Sequence, residues 1–389
     1  MRLKRLRLTQ FRNYETLVWQ PAAPVSVLHG PNGSGKTNLL EAVSLLLPGR
    51  GLRGARLTDL ARRRPGQEAA DWAIAGRFQT AQGVCDVGTG SAPAAAGPKA
   101  SDRRVFRLDG AAPRSQADLA DRVAAVWLTP QMDRLFSEGA ASRRRFLDRL
   151  VWALEPGHAR QVAAFDAAMA GRNRLLSQGG ADPSWLDALE ASMARHAVAA
   201  TVARAALLDR LNASLQTGPA EAFPTGHAGL ACPVAAHLAE HPALATEDWL
   251  RESLAGARAR DAAAGSTALG AHRADLTMTD ASGMPAGLAS TGEQKSLLIG
   301  LILSHAALIG AARGFAPILL LDEPAVHLDA GRRAALFDAL VRLPGQTLMT
   351  GTDADVFVPL AGHAEALRTG GGRLAPDPRF PVPISAADA

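Results

Sequence analysis

The sequence predicts an α/β fold of the P-loop nucleotide-binding type with a helical domain inserted into it. Three observations carry that expectation. Residues Gly30-Pro31-Asn32-Gly33-Ser34-Gly35-Lys36-Thr37 complete the pattern G-x-x-x-x-G-K-[ST]. Ile318-Leu319-Leu320-Leu321-Asp322-Glu323-Pro324 is a short apolar run that ends in two carboxylates. Between them the apolar spacing turns helical from Ser142 onward.

The elements follow in order. Residues 2–8 alternate basic and apolar side chains, and Val25-Ser26-Val27-Leu28 runs straight into the Gly-rich loop; both predict strands. Thr37 to Leu47 predicts the helix after the loop, giving the strand–loop–helix context that a P-loop requires. Trp72–Phe78 and Val105–Leu108 predict further strands, and Gly88–Ser101, rich in Gly, Ala, Pro and Ser, a flexible surface loop. Leu147, Leu150, Val151 and Leu154 mark a helix face. After the breaker Gly179–Pro183, Ser184 is expected to cap a long helix striped by Leu186, Leu189, Met193, Leu207, Leu211 and Leu215. A third helix is expected from about Thr246 to Ala263. Strand character returns at Leu276–Thr279; a helix over Glu293–Ala311, a buried strand over Ile318–Leu321, a helix over Ala330–Leu340 and a strand over Thr347–Thr350 follow. The tail from Gly370 is expected to be loosely held. The expected organisation is an ATPase lobe from 1–140 and 266–389, with 141–265 as the inserted helical lobe.

The 389 residues are 47% hydrophobic and 20% charged, which fits a globular chain with a sizeable core. The formal charge is +5. Lysine occurs only at Lys4, Lys36, Lys99 and Lys295, so nearly all positive charge is arginine. Arginine suits bidentate contacts with phosphate, which admits nucleic acid as a partner. A GC-rich genome that replaces lysine by arginine gives the same composition. Cys85 and Cys232 form no CxxC pair, which argues against a disulfide framework or a structural zinc site and suits a reducing cytoplasm. The N-terminus lacks the unbroken apolar core of a signal peptide. No stretch is expected to approach a membrane span, since the best apolar run, Leu297–Ile309, is broken by Ser304 and His305.

Each motif asks for a particular chemistry. Glycines 30, 33 and 35 let the backbone turn its N–H groups toward phosphate oxygens. Lys36 supplies a positive charge to the β- and γ-phosphates, and the Thr37 hydroxyl can ligate Mg²⁺. The next helix points its positive end at the same phosphates, and Asn38 in its first turn is expected at the nucleotide with Gly30 to Thr37. A buried strand ending in Asp322-Glu323 delivers one acid to hold Mg²⁺ and one to orient or deprotonate a water. Ser290-Thr291-Gly292-Glu293-Gln294-Lys295 precedes a helix, upstream of the acids, and resembles the signature motif of ATP-binding-cassette ATPases. In that class the motif contacts ATP held by a partner subunit; Ser290 and Glu293 also fit a capping box, and both roles are compatible. Asp329 matches the loop that touches the partner subunit in that class. In Thr350-Gly351-Thr352-Asp353, where transporters carry a switch histidine, there is none, so Thr352 or Asp353 is expected to serve. Arg50, Arg53, Arg56, Arg62, Arg63 and Arg64 form a basic stretch after the P-loop helix, a candidate DNA contact and equally a solvated basic face.

Further stretches make the resemblance specific. Leu8-Thr9-Gln10-Phe11-Arg12-Asn13-Tyr14 is similar to an N-terminal FRNY strand-turn, and Asn38-Leu39-Leu40-Glu41-Ala42 to an NLLEA segment. Pro130, Gly139 and Arg143-Arg144-Arg145-Phe146-Leu147-Asp148 resemble a first signature, with Gln131 where an acid is usual. Gly270-Ala271-His272-Arg273-Ala274-Asp275-Leu276 resembles GPHRDDL, with Ala271 and Ala274 as substitutions. In these stretches the chain resembles the RecF family, SMC-like relatives of the cassette ATPases, and the resemblance runs from residue 8 to about 353. It implies a head-to-tail dimer that sandwiches two ATP molecules, each between a P-loop and the partner's signature motif. It further implies a clamp on gapped or junction DNA that works with RecO and RecR to load RecA, and slow ATP hydrolysis that opens it. The expected cofactors are ATP and Mg²⁺; the expected location is the cytoplasm, at the nucleoid, with no membrane partner. A transporter's nucleotide-binding subunit is the runner-up, disfavoured by the helical insertion and the missing histidine. An SMC-type ATPase would need a long coiled-coil arm, and a nuclease a second acidic cluster.

Overall fold

A computed structural model describes residues 1–64, 67–69, 71–80, 82–92, 104–179, 182–217, 223 and 225–381. The chain falls into two compact units. The first comprises Met1–Asp133 and Leu298–Ala389, with Pro219–Phe223; the second comprises Arg134–Gly218 and Pro224–Leu297.

The first unit opens with β1 (Arg2–Phe11), β2 (Tyr14–Trp19) and β3 (Val25–His29), followed by α1 (Lys36–Leu45). The short pair β4 (Arg63–Arg64) and β5 (Gln67–Glu68) precedes β6 (Ala73–Thr80), β7 (Gly83–Ser91) and β8 (Arg104–Leu108). Helix α2 (Gln116–Arg122) and strand β9 (Ala125–Leu128) complete this stretch. The second unit holds α3 (Ala140–Leu154), α4 (His158–Gln178), α5 (Pro183–Thr217), β10 (Gly226–Ala231), α6 (Pro233–Glu240), α7 (Ala243–Gly256), α8 (Arg258–Ala264) and β11 (Asp275–Asp280). Helix α9 (Thr291–Arg313) begins there. The first unit resumes with β12 (Ile318–Leu321), α10 (Ala330–Arg342), β13 (Thr347–Gly351), β14 (Ala364–Gly370) and β15 (Arg373–Pro376).

Besides the β4–β5 pair, two larger sheets build the first unit. One is antiparallel, in the order β2-β1-β6-β7-β8; the other runs β15-β14-β3-β13-β12-β9, parallel except for β15. With a register shift between Leu3 and Arg5, β1 places Leu3, Leu6 and Leu8 in the core and leaves Arg5 and Arg7 exposed. Strands β3, β12 and β13 are buried at every position, as parallel strands covered on both faces must be. Helix α1 packs on β6 of the antiparallel sheet and on β12 and β13 of the parallel one, so Leu39, Leu40 and Val43 share one core with Leu6, Phe78, Leu320 and Leu348.

The second unit has its own core around Phe165, Met193, Ala197, Val198, Leu250 and Leu254. At its centre Arg172 is fully buried and satisfied by Glu190, Asp261, Thr267 and the Leu254 carbonyl at 2.7–2.9 Å. This unit is larger than the expected insertion of 141–265. It extends to Leu297 because β11 pairs with β10 and because Arg143 grips Asp275 through two 2.7 Å hydrogen bonds.

Other expectations are corrected. Gly88–Ser91 belongs to β7 and not to a loop; Gly90 lies so close to the Trp72 carbonyl that a Cβ would stand 2.6 Å from it. The rest of that expected loop, 93–101, lies outside the described residues. Asp182, not Ser184, caps α5, accepting both the N–H and the hydroxyl of Ser184. The helix expected near 246–263 is divided in two after Gly256. The tail forms β15 and buries Phe380, and 382–389 lie outside the described residues. Helix α9, with a mean hydropathy of 1.7 over its best window, is long and apolar enough to cross a membrane. That window is 72% buried in the protein, as in a core helix.

Candidate nucleotide site

The strand order explains how distant motifs meet. β3 ends in the P-loop, β12 ends in the acid pair, and β13 lies between them. All three are parallel, so their C-terminal ends form one edge, the usual place for a ligand in such a sheet.

Gly30, Gly33 and Gly35 have φ of 143°, 79° and 108°, conformations that side chains resist. Two are further constrained: a Cβ on Gly30 would meet the Thr369 carbonyl at 2.7 Å, and one on Gly35 would meet the Asn13 amide at 2.4 Å. The first N–H groups of α1 have no intrahelical acceptor and face the loop's concavity. Lys36 is buried; its ammonium donates to the carbonyls of Gly30 at 2.7 Å and Pro31 at 3.2 Å and stands 3.7 Å from Glu323. The Thr37 hydroxyl donates to Asp322 Oδ1 at 2.8 Å.

Thr350, at the end of β13, joins the two acids. Its hydroxyl donates to Asp322 Oδ1 at 2.7 Å and accepts the Glu323 N–H at 2.9 Å. Glu323 has φ 51°, a strained value for a side-chain-bearing residue, and that bond helps to hold it. Thr352 is exposed, and Asp353 accepts the Asp355 N–H at 2.9 Å. Nothing in the sequence showed that β13 would lie between the two motif strands.

The FRNY turn braces the loop from one side. Arg12 forms a two-bonded pair with buried Glu41 at 2.7 and 2.8 Å. The Asn13 amide donates to the Ser34 carbonyl, and the Tyr14 hydroxyl to the Gly35 carbonyl, each at 3.1 Å. Burial pushes the Tyr14 phenol well above its ordinary pKa, so it stays a donor. The side chain of Asn38, the last of the expected nucleotide-binding residues, donates to Asn13 Oδ1 and accepts from Arg53. From the other side, the Thr369 hydroxyl donates to the His29 carbonyl at 3.0 Å and lies 2.7 Å from the Ser34 hydroxyl. His29 itself pairs with Asp377 at 3.1 Å. Burial lowers the His29 pKa, and the Arg379 hydrogen bond holds Asp377 down to about 2.

The signature segment lies in the second unit. Ser290 is exposed at the start of α9, and its N–H and hydroxyl both donate to Glu293 Oε2 at 2.9 and 2.7 Å, the reciprocal capping box. Gln294 bridges the Ala289 carbonyl and the Ser137 hydroxyl; Gly292 accepts the Ser296 hydroxyl, and Lys295 is buried. Asp329 caps α10 through the Arg332 N–H at 2.8 Å. Two of the first-signature arginines turn inward, Arg143 to Asp275 and Arg144 to the Ala274 carbonyl, while Arg145 is exposed and donates to the Ser142 hydroxyl; Asp148 pairs with Arg204 and His158.

The basic stretch does not form one surface. Arg62 is buried against Glu15 at 3.0 Å, so its charge is committed within the fold. Arg53 is held by Asn38 and stands 3.8 Å from Glu41, and Arg63 pairs with Asp59 at 3.0 Å. Arg50 and Arg56 line a recess of about 670 Å³ with Arg104, whose guanidinium lies 4.3 Å from the Phe106 ring centre. Burial pulls Arg104 down to about 10. The Arg64 side chain lies outside the described residues.

Comparison with known proteins places the chain in context. The family model described as RecF/RecN/SMC N terminal domain matches residues 2–358. A DNA replication and repair protein RecF from Mesorhizobium japonicum is 47% identical over 381 residues, covering 96% of this chain and 97% of the relative. A solved structure of the recombination mediator protein RecF with ATP superposes with a TM-score of 0.81 at 21% identity, over 97% of this chain and 99% of that one. An Smc head domain from Pyrococcus furiosus gives 0.52 at 15% identity, over 96% and 95%. The fold is therefore that of the ABC/SMC ATPase heads.

Proposed function

Since the chain belongs to the RecF family, we propose that it is an ATP-dependent, DNA-binding recombination mediator whose ATPase acts as a switch. The observation that carries the ATPase reading is the convergence of Lys36, Thr37, Asp322, Glu323 and Thr350 on one sheet edge. The triphosphate would take over the contacts that Lys36 now makes with loop carbonyls and with Glu323. The N–H groups of the Gly-rich turn and of the α1 terminus would hold its β-phosphate. Glu323 would accept a proton from, or orient, the attacking water, with Thr350 fixing its backbone.

The site fits Mg²⁺. The Thr37 hydroxyl and the Asp322 carboxylate converge at 2.8 Å, and both are hard oxygen donors. When bound, the ion would neutralise phosphate charge. Among the described residues there is no cluster of three His, Cys, Asp or Glu side chains for a metal, so phosphate and water would complete its coordination.

The signature segment supports a dimer. Exposed Ser290 tops a helix N-terminus already suited to an anion, where a partner's γ-phosphate would bind in trans with Gly292, Glu293, Gln294 and Lys295 framing the turn. Asp329 would lie at the same interface. The family resemblance adds gapped or junction DNA as the object clamped, RecO and RecR as co-workers, RecA as the protein loaded, slow hydrolysis as the release step, and the cytoplasm as the location.

Light scattering with ATP and Mg²⁺ tests this. Lys36→Ala should abolish ATP binding and ATP-driven dimerisation, whereas Ser290→Ala should keep ATP binding in the monomer and lose the dimer. Dimerisation of the Lys36→Ala protein by ATP would refute the assignment. ATP-dependent binding to gapped duplex DNA tests the clamp.

A further inference from the structure

The exposed face of the antiparallel sheet carries an arginine array that the basic stretch at 50–64 does not include. Arg5, Arg7, Arg77 and Arg107 line a shallow recess of about 310 Å³ with Ala75, Asp86 and Gly88. Strand register sets the spacing. Arg5 pairs with Arg77, while Arg7, Ala75, Gly88 and Arg107 form one row across four strands. The row's ends are three strand spacings apart, about 14 Å, with only small side chains between them. Over that span one strand of DNA presents about four phosphates.

The charge balance favours a polyanion. Among the described residues Asp86 is the one carboxylate that lines the recess, and both its oxygens are engaged by Arg77 at 2.8 Å. Among the described residues no carboxylate pairs with Arg5, Arg7 or Arg107, and all three are exposed. The array lies opposite the buried leucines of β1, so burial does not require it.

We infer that this face of the sheet is the duplex-DNA backbone contact of the protein, with Arg5, Arg7 and Arg107 binding phosphates across the Ala75–Gly88 trough. This rests on the DNA-binding reading above and gives it an address. Duplex is favoured over unpaired strand because no lining residue among the described ones is aromatic, and single strands are held largely by stacking on aromatic rings. Nothing there offers a base-reading element, so binding is expected to be independent of sequence and steeply salt-dependent.

Gly88 supplies a clean probe. A Cβ there would meet only ordinary contacts at 3.7 and 3.8 Å, so a side chain fits. Gly88→Glu then places a carboxylate in the trough without touching the nucleotide site. The experiment measures fluorescence anisotropy of a labelled blunt duplex with ATP and Mg²⁺, over a salt series, for wild type, Arg7→Glu/Arg107→Glu and Gly88→Glu. Light scattering confirms ATP-driven dimerisation of each. The double variant should bind about 10- to 100-fold more weakly at 0.1 M salt, with a log–log salt slope shallower by about 2. Gly88→Glu should weaken binding in the same direction. Wild-type affinity and slope in both variants would overturn the inference and leave the mediator reading standing. So would intact duplex binding with loss only of an added poly-aspartate peptide, which would mark the face as a dock for an acidic protein. Failure of wild type itself to bind any DNA would sink the DNA reading and this address together.

Discussion

Thr350→Val tests the geometry of the acid pair most directly. The residue is fully buried, and valine keeps its shape while deleting the hydroxyl. Two hydrogen bonds go: the donation to Asp322 at 2.7 Å and the acceptance from the Glu323 N–H at 2.9 Å. A bond to a charged acceptor is worth about 1.5–3 kcal/mol, and a stranded buried N–H costs about 1–3 kcal/mol. Asp322 keeps its bond from Thr37, so ATP affinity should change less than about threefold, or about 0.65 kcal/mol. Glu323 loses the bond that holds its strained backbone. If about 1.4–2.7 kcal/mol of the loss falls on its alignment in the transition state, kcat drops about 10- to 100-fold. The assay pairs steady-state ATP hydrolysis with binding of a fluorescent ATP analogue. Thr350→Ser, which restores the hydroxyl, should recover most of the rate. Unchanged kcat in Thr350→Val, or equal loss in Thr350→Ser, would refute the positioning role.

Two further outcomes follow from the same region. Gly35→Ala forces a Cβ to 2.4 Å from the Asn13 amide at φ 108°, so ATP binding measured by calorimetry should be lost at ordinary ligand concentrations, and a normal affinity would contradict the bracing of the loop by the FRNY turn. Glu365 is buried on β14 beside Ser26, and burial raises its pKa above the usual carboxylate value. The folded state therefore binds this proton more tightly than the unfolded chain, and stability falls as pH rises from about 4.5 through the raised folded value. Glu365→Gln keeps the acceptor for the Ser26 hydroxyl and the Ala22 N–H, so melting at pH 7.5 should rise by about 1–3 °C while the pH slope in that window flattens. A lower melting temperature would show that the carboxylate is held ionised to advantage.

The parts of this fold that were legible in the sequence were those whose signal is local. Strand β3, helix α1 and strand β12 each announce themselves through a motif and an apolar run within about ten residues. The glycines at 88 and 90 read as a loop because glycine disfavours strands in isolation; here cross-strand packing against the Trp72 carbonyl requires one of them. The tail read as loose because Gly370 and Pro376 break patterns, yet pairing with β14 holds it. Thr350 and Thr369 were invisible as site residues because their role depends on strand order, which is a tertiary property. The arginines failed in the other direction. Close in sequence, Arg53, Arg62 and Arg63 pair with three different acids, Glu41, Glu15 and Asp59, whereas Arg7 and Arg107, a hundred residues apart, share a row.

The position of β3 has a consequence for synthesis. Val25 pairs with Thr347 on one side and with Ala364 on the other. On a ribosome adding about 5–20 residues per second, the strand that carries the P-loop waits about 20–70 s for either neighbour to emerge. All five of its residues are buried in the finished sheet, so meanwhile they stay exposed or covered by something else. The antiparallel sheet, complete by Leu108, can fold early, while the nucleotide edge is among the last parts to form. A nascent chain arrested before residue 347 should therefore carry an intact Gly-rich sequence that neither binds ATP nor stays out of the hands of chaperones that hold exposed apolar strands.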